Sequence, residues 1–160
     1  MNEPTEIKYP LDENGETYFA GTHADAISNP GKILKNLVDY GGWTKFAPVN
    51  GKANTEFKAT GENGFDCSYR VIEVLDIKIK TVQLNLSKIT NNMLIHNLPE
   101  GLAKQSQSWL IRTAGTRHPA TVSLRPNGRL TVVINPDDRS DWKDTDYIYG
   151  SYTWIEKENE

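Results

Sequence analysis

The sequence predicts an all-β fold, an antiparallel sandwich or barrel preceded by one short helix, and three observations lead there. Short apolar stretches alternate with turn residues from Phe65 to Trp154, no long amphipathic helical pattern interrupts them, and each stretch is bounded by Gly, Pro, Asn or Asp. Eight such stretches follow residue 54, a number suited to a sandwich or barrel.

Residues 1–28 mix Pro, Glu, Asn and Gly with a few aromatics, too little apolar material for a core of their own. This segment is expected to dock on something. Residues 29–42 then carry the helix signals: Asn29 caps, Pro30 is tolerated at the first helical position, and Gly41-Gly42 supplies the stop. Ile33, Leu34, Leu37 and Tyr40, with Val38 beside them, form a stripe at spacings of three and four. A helix of about eleven residues is marginal alone in water. Its stripe therefore needs either the β body or copies of itself from other chains.

The body spans residues 43–160. Its expected strands are Thr55–Thr60, Phe65–Ile72, Val74–Leu86, Met93–Asn97, Ser108–Thr113, Ala120–Leu124, Arg129–Ile134 and Tyr147–Ile155. In the third, Ile77 and Ile79 occupy one parity while Val82, Leu84 and Leu86 occupy the other, so a bulge or bend near Lys80-Thr81 is expected. The clearest hairpin turns through Pro126-Asn127-Gly128, where Asn-Gly accepts the positive φ of a tight reversal.

With 160 residues the chain fits one domain plus a short appendage. The 37% apolar and 24% charged fractions are those of a water-soluble globular body. Eighteen basic and 21 acidic residues give a net charge of -3 and no basic stripe, which argues against a nucleic-acid partner. Cys67 stands alone, so neither an intramolecular disulfide nor a cysteine metal cluster is expected, and it reads as a small buried residue. The first residues lack signal-peptide character, and no apolar run approaches the roughly 18 residues of a membrane span. Synthesis in a cytoplasm and no membrane insertion are the expectations.

Catalytic signals are sparse. The 3 histidines, His23, His96 and His118, lack metal-ligand spacing with one another or with Cys67. No Gly-x-Ser-x-Gly elbow occurs, and Cys67 has no activating neighbour in sequence. Glycoside hydrolysis needs two carboxylates about 5 to 10 Å apart across a cleft. The acidic loop Asn135–Asp146 offers carboxylates, although clustered loop aspartates are usually solvated turn formers. No catalytic residue, metal or cofactor is assigned.

That loop is long for a compact β protein, and Trp142 in its middle argues for order. An indole amid charge either tucks back on the body or meets a ligand. Sugar binding calls for this mixture, an aromatic face for the C–H side of a pyranose and charged or amide groups for its hydroxyls. The candidate saccharide contacts are Trp142, Asp137, Arg139, Asp141, His118, Arg117, Arg112 and Trp109. For Trp109, at the start of an apolar strand, core packing is the competing reading. His118 equally reads as an ordinary loop histidine.

Several phrases, in order, resemble the tail-tip and baseplate receptor-binding proteins of phages that infect Gram-positive bacteria. Residues Asp12 to Ile27, with Tyr18-Phe19 and Thr22-His23 ahead of Ala26-Ile27, are similar to the segment by which such proteins attach to the tail. The body is similar to their head domains: Gly42-Trp43-Thr44-Lys45-Phe46, Tyr69-Arg70-Val71, Leu98-Pro99-Glu100-Gly101-Leu102, Arg125 to Val132, and Tyr149 to Trp154. The resemblance implies a homotrimer without catalysis, carried on the virion tail. Its β heads would bind host polysaccharide or teichoic acid. Residues 1–28 would contact other baseplate or tail proteins, and residues 29–42 would form a neck joined through Ile33, Leu34, Leu37, Val38 and Tyr40. Where the chain departs from the pattern is length, since no fibre repeat separates attachment segment from head. A structural baseplate subunit without host contact is the alternative, and a wall-polymer hydrolase a more distant one.

Overall fold

The computed structural model describes residues 38–53 and 64–157. The chain divides into two units, Met1–Asp39 and Tyr40–Glu160. Of the first, the described part is the two-residue strand Val38–Asp39 (β1). The expected helix over Pro30–Tyr40 therefore falls mostly outside the described residues, as do the attachment segment and the expected strand Thr55–Thr60. At its end the expectation is corrected: Val38 and Asp39 are extended, not helical, as suits a β-branched residue three positions before the glycine pair.

The second unit is a curled antiparallel sheet, a half-barrel. Its strands are Thr44–Lys45 (β2), Lys52–Ala53 (β3), Ser68–Val74 (β4), Ile77–Ser87 (β5), Met93–Asn97 (β6), Gln107–Thr113 (β7), Ala120–Leu124 (β8), Arg129–Val133 (β9) and Tyr147–Lys157 (β10). The order across the sheet is β4-β5-β10-β7-β8-β9-β6, with β2 on β4 and β3 on β5. Residues 44–53 bridge the two ends of this ribbon. Phe46 N–H donates to the Cys67 carbonyl at 2.9 Å, and Val49 N–H donates to Ile95 of β6 at 2.7 Å. Phe46 also stacks on the His96 ring, 4.8 Å between centroids.

The inward faces supply one continuous core. Val82, Leu84 and Leu86 of β5 meet Trp109 and Ile111 of β7, Val122 and Leu124 of β8, Leu130 and Val132 of β9, and Ile95 of β6. Burying a side chain of this size contributes roughly 1.5–3 kcal/mol. Cys67 belongs to the same core at 1% exposure, and burial pushes its thiol up to about 11.

Of the bulge or bend expected at Lys80-Thr81, the bulge is absent. β5 pairs without interruption with β10 from Tyr147↔Ser87 to Lys157↔Ile77, and with β4 from Ser68↔Gln83 to Val74↔Ile77. The two apolar parities instead lie on opposite faces. Val82, Leu84 and Leu86 point to the core, while Ile77 is 38% exposed on the outer face. Lys80 follows the inward parity, and its ammonium pairs with the Glu156 carboxylate, both side chains at or below 10% exposure. Burial alone would raise the Glu156 carboxyl. Hydrogen bonds from Lys80, the Trp154 indole and the Lys104 backbone outweigh it and hold the group below the usual range.

β10 pairs with β7 only at Ile148↔Thr113 and Tyr149↔Arg112 before the two strands part. Aromatic rings occupy the wedge beyond. Tyr152 lies 4.5 Å from Trp109 with an interplanar angle of 3°, and 5.9 Å from Trp154. At that end the β8–β9 turn docks on the Leu98–Leu102 phrase: Leu98 N–H donates to Gly128 at 2.9 Å and Gly101 N–H to Pro126 at 2.8 Å. Gly128 is obligatory there. Its φ is +80, and a Cβ would stand 1.9 Å from the Leu98 carbonyl oxygen.

Candidate functional site

At the other end of the sheet, the β7–β8 loop (residues 114–119) and the β9–β10 loop (residues 134–146) meet. The second begins with a 3-10 turn, Pro136–Asp138, capped by the Asn135 side chain, which accepts from Asp137 N–H. Two of its aspartates turn inward. Asp146 Oδ2 accepts from Arg117 Nε at 2.9 Å and from Lys143 N–H at 2.9 Å. Asp138 Oδ2 accepts from His118 N–H at 2.7 Å and lies 3.2 Å from His118 Nδ1. Arg117 also donates through Nη2 to the Asp141 carbonyl. From below, the Thr113 hydroxyl donates to the carbonyls of His118 at 3.0 Å and Arg117 at 3.2 Å. Charge-assisted bonds of this kind are about twice as strong as neutral ones. They fix two loops as one surface.

Two adjoining depressions open on that surface. One, about 500 Å³, is lined by Leu110, Ile111, Arg112, Thr113, Ala114, Gly115, Arg117 and Pro119. The second, about 580 Å³, is lined by Thr116, Arg117, Ser140, Asp141, Trp142 and Lys143. Both volumes fall within the usual range for small-ligand sites. Arg117 borders both, and Asp146 holds it in place.

Trp142 is half-buried, packed against the core from its loop, and its Nε1 is buried without a hydrogen-bond partner. One part of the indole is thus anchored while another lines the depression. Of the sequence candidates, Arg112, Arg117, Asp141 and Trp142 come together here. His118 stands beside the site, its side chain 58% exposed, and does not line it. Asp137 is exposed on the 3-10 turn, and Arg139 Nε is engaged by the Ile134 carbonyl at 3.2 Å. Trp109 lies in the core at 8% exposure under Tyr152, away from both depressions. Of the neck candidates, Ile33, Leu34 and Leu37 lie outside the described residues; Val38 is half-buried and Tyr40 is 73% exposed.

Sequence reasoning missed Lys143, Thr116, Ser140 and Leu110 as lining residues, and Asp138 and Asp146 as anchors. A composition-based reading finds no mark separating these aspartates from Asp137, Asp141 and Asp144. The surface offers an indole, guanidinium and ammonium groups, one carboxylate and three hydroxyls, which suits hydrogen bonding to a polyhydroxylated ligand with apolar contact to its C–H face. Among the described residues, no three His, Cys, Asp or Glu side chains converge as a metal site. No family model and no curated protein matches this chain.

Proposed function

We propose that the chain is a phage tail receptor-binding protein whose trimeric β head binds a host cell-wall saccharide, polysaccharide or teichoic acid, during adsorption. The observation that carries this reading is the anchored Trp142 beside Arg117, on loops that Asp138 and Asp146 pre-organise. A ligand meeting such a surface requires little ordering of the protein, which favours affinity. The depressions are shallow, and weak single-site binding fits a trimer: several heads per virion raise effective concentration without tight individual contacts. Residues 1–28 would attach the head to the tail and residues 29–42 would form the neck. The reading assigns no catalytic step.

The structural-subunit reading draws on a different observation, the exposed apolar residues Leu75, Ile77 and Ile155 at the far end of the outer sheet face. One experiment separates the two. Purified protein is incubated with cell walls from a panel of Gram-positive bacteria, free wall polysaccharide is added as competitor, and the solution mass is measured by light scattering. Three-chain particles retained on some walls and released by saccharide support the receptor-binding reading. Retention on none, or a monomer, contradicts it.

A further inference from the structure

A sheet wetted on one side usually turns its apolar residues to the core and its charged ones to water, but one end of the β4-β5-β10 ribbon reverses that pattern. The register places Glu73, Lys78 and Glu156 in one cross-strand row on the inner face, beside Lys80. Lys78 pairs with Glu73 at 3.1 Å and Lys80 with Glu156. Side chains alternate, so the outer face there carries Ile72, Ile79 and Ile155 in one row, and Val74 and Ile77 with Lys157 in the next. Ile155 is 67% exposed, and Leu75 in the β4–β5 turn is 71% exposed. Apolar surface set on the side away from the core marks a face that meets another molecule.

The next row along the same face adds a charge. Arg70, Thr81 and Thr153 stand side by side in the register, and the two threonine hydroxyls bond each other at 2.9 Å. The Arg70 guanidinium carbon lies 4.6 Å from the centre of the Trp43 ring, which is itself 41% exposed. Its Nε is buried without a hydrogen-bond partner, and among the described residues no carboxylate pairs with it. The neighbouring charges are committed, Lys45 to Asp66 and Lys157 to Asp76, besides the two inner pairs. Arg70 is therefore the unneutralised charge of this face, held in place by an aromatic ring. Arginine and tryptophan are the residue types that most often dominate protein–protein contacts.

We propose that the outer face of β4, β5 and β10 docks an amphipathic helix of another protein, whose aliphatic side chains cover Ile72, Ile79 and Ile155 and whose carboxylate bonds the Arg70 guanidinium. Charge complementarity selects the carboxylate, since a guanidinium can hold its two oxygens in parallel. Size selects a single segment. Three strands about 5 Å apart and three rows about 7 Å apart make a face of roughly 300 Å², against about 800 Å² a side in a stable protein–protein interface. That is too little for a dimer of this chain and enough for one helix, about 10 Å across. Residues four apart on a helix rise by about 6 Å, close to the step from the isoleucine row to the Arg70 row. The face shares no residue with the two depressions, so the proposal stands independently of the saccharide-binding reading.

The test is calorimetric titration of the full chain with two synthetic helical peptides that carry a leucine stripe and, one turn beyond it, either glutamate or glutamine. The glutamate peptide is expected to bind tenfold or more tightly than the glutamine one. That advantage should vanish in Arg70→Gln. It should also fall in Trp43→Ala, which unseats the guanidinium by trimming an exposed ring and so tests the same point if Arg70→Gln does not fold. Ile155→Ser, at an exposed position, should weaken both peptides alike. Arg129→Gln removes a charge from β9, away from this face, and should leave both affinities as they are. Binding of neither peptide, equal affinity for the two, or an advantage that survives Arg70→Gln overturns the proposal. So does a lower solution mass for Ile155→Ser than for the native protein, because the face would then belong to a second copy of this chain.

Discussion

Arg117 and Asp146, 29 positions apart in sequence, form a 2.9 Å ion pair whose side chains are 12% and 11% exposed. The same carboxylate oxygen takes the Lys143 N–H, so one group ties the β7–β8 loop, the β9–β10 loop and the entry to β10. A long loop thereby acquires one conformation, and Trp142 sits at its fixed end.

Asp146→Ala removes that tie and leaves the Arg117 guanidinium largely buried without its partner. The expected loss is about 3 kcal/mol, read as a lower denaturant midpoint. Hydrogen exchange should quicken in residues 114–119 and 134–146 more than in β8 or β9, since the core strands do not depend on this contact.

Glu156 gives a pH signature. Hydrogen bonds from Lys80, Trp154 and the Lys104 backbone hold its folded carboxyl below the ordinary value of 4.5, so the unfolded chain takes up the proton first as pH falls. Its contribution is full above that value and is lost as pH falls toward the folded pKa. The stability difference between the native protein and Glu156→Gln, from paired urea titrations, should be largest at neutral pH and narrow on acidification below about 4.5. A difference that widens in acid would contradict the Lys80–Glu156 assignment.

Gly128→Ala is expected to cost about 2 kcal/mol or more, because it adds a left-handed strain of about 1–3 kcal/mol to a collision with the Leu98 carbonyl. Thermal unfolding measures it. Gly115→Ala, where an added Cβ meets nothing within 4 Å, is the contrasting control and should stay near the native value.

Much of the body was legible because its signals are local. Met93–Asn97 and Ala120–Leu124 have the bounds that their flanking turn residues indicate, and Asn127-Gly128 marks its hairpin. The β4–β5 turn is harder to see, since Leu75 adopts φ 57 with neither Gly nor Asn to announce it, and the expected strand boundaries there miss by two or three residues. β2 and β3 escape because two residues carry no period. The phantom bulge came from reading both apolar parities of β5 as core, when Ile77 lies on the outer face and the charged Lys80 on the inner one. At the site, loop length and Trp142 were readable. The inward turn of Asp138 and Asp146 was not, because partners from the β7–β8 loop decide it.

The most direct test of the account is the affinity of the native protein and of Trp142→Ala for a wall saccharide that the native protein retains, measured together with the circular dichroism and solution mass of both. Trp142→Ala is expected to lose about tenfold in affinity, about 1.4 kcal/mol, while remaining folded and in the same oligomeric state. Unchanged affinity in a folded Trp142→Ala protein would contradict the placement of the saccharide on this surface.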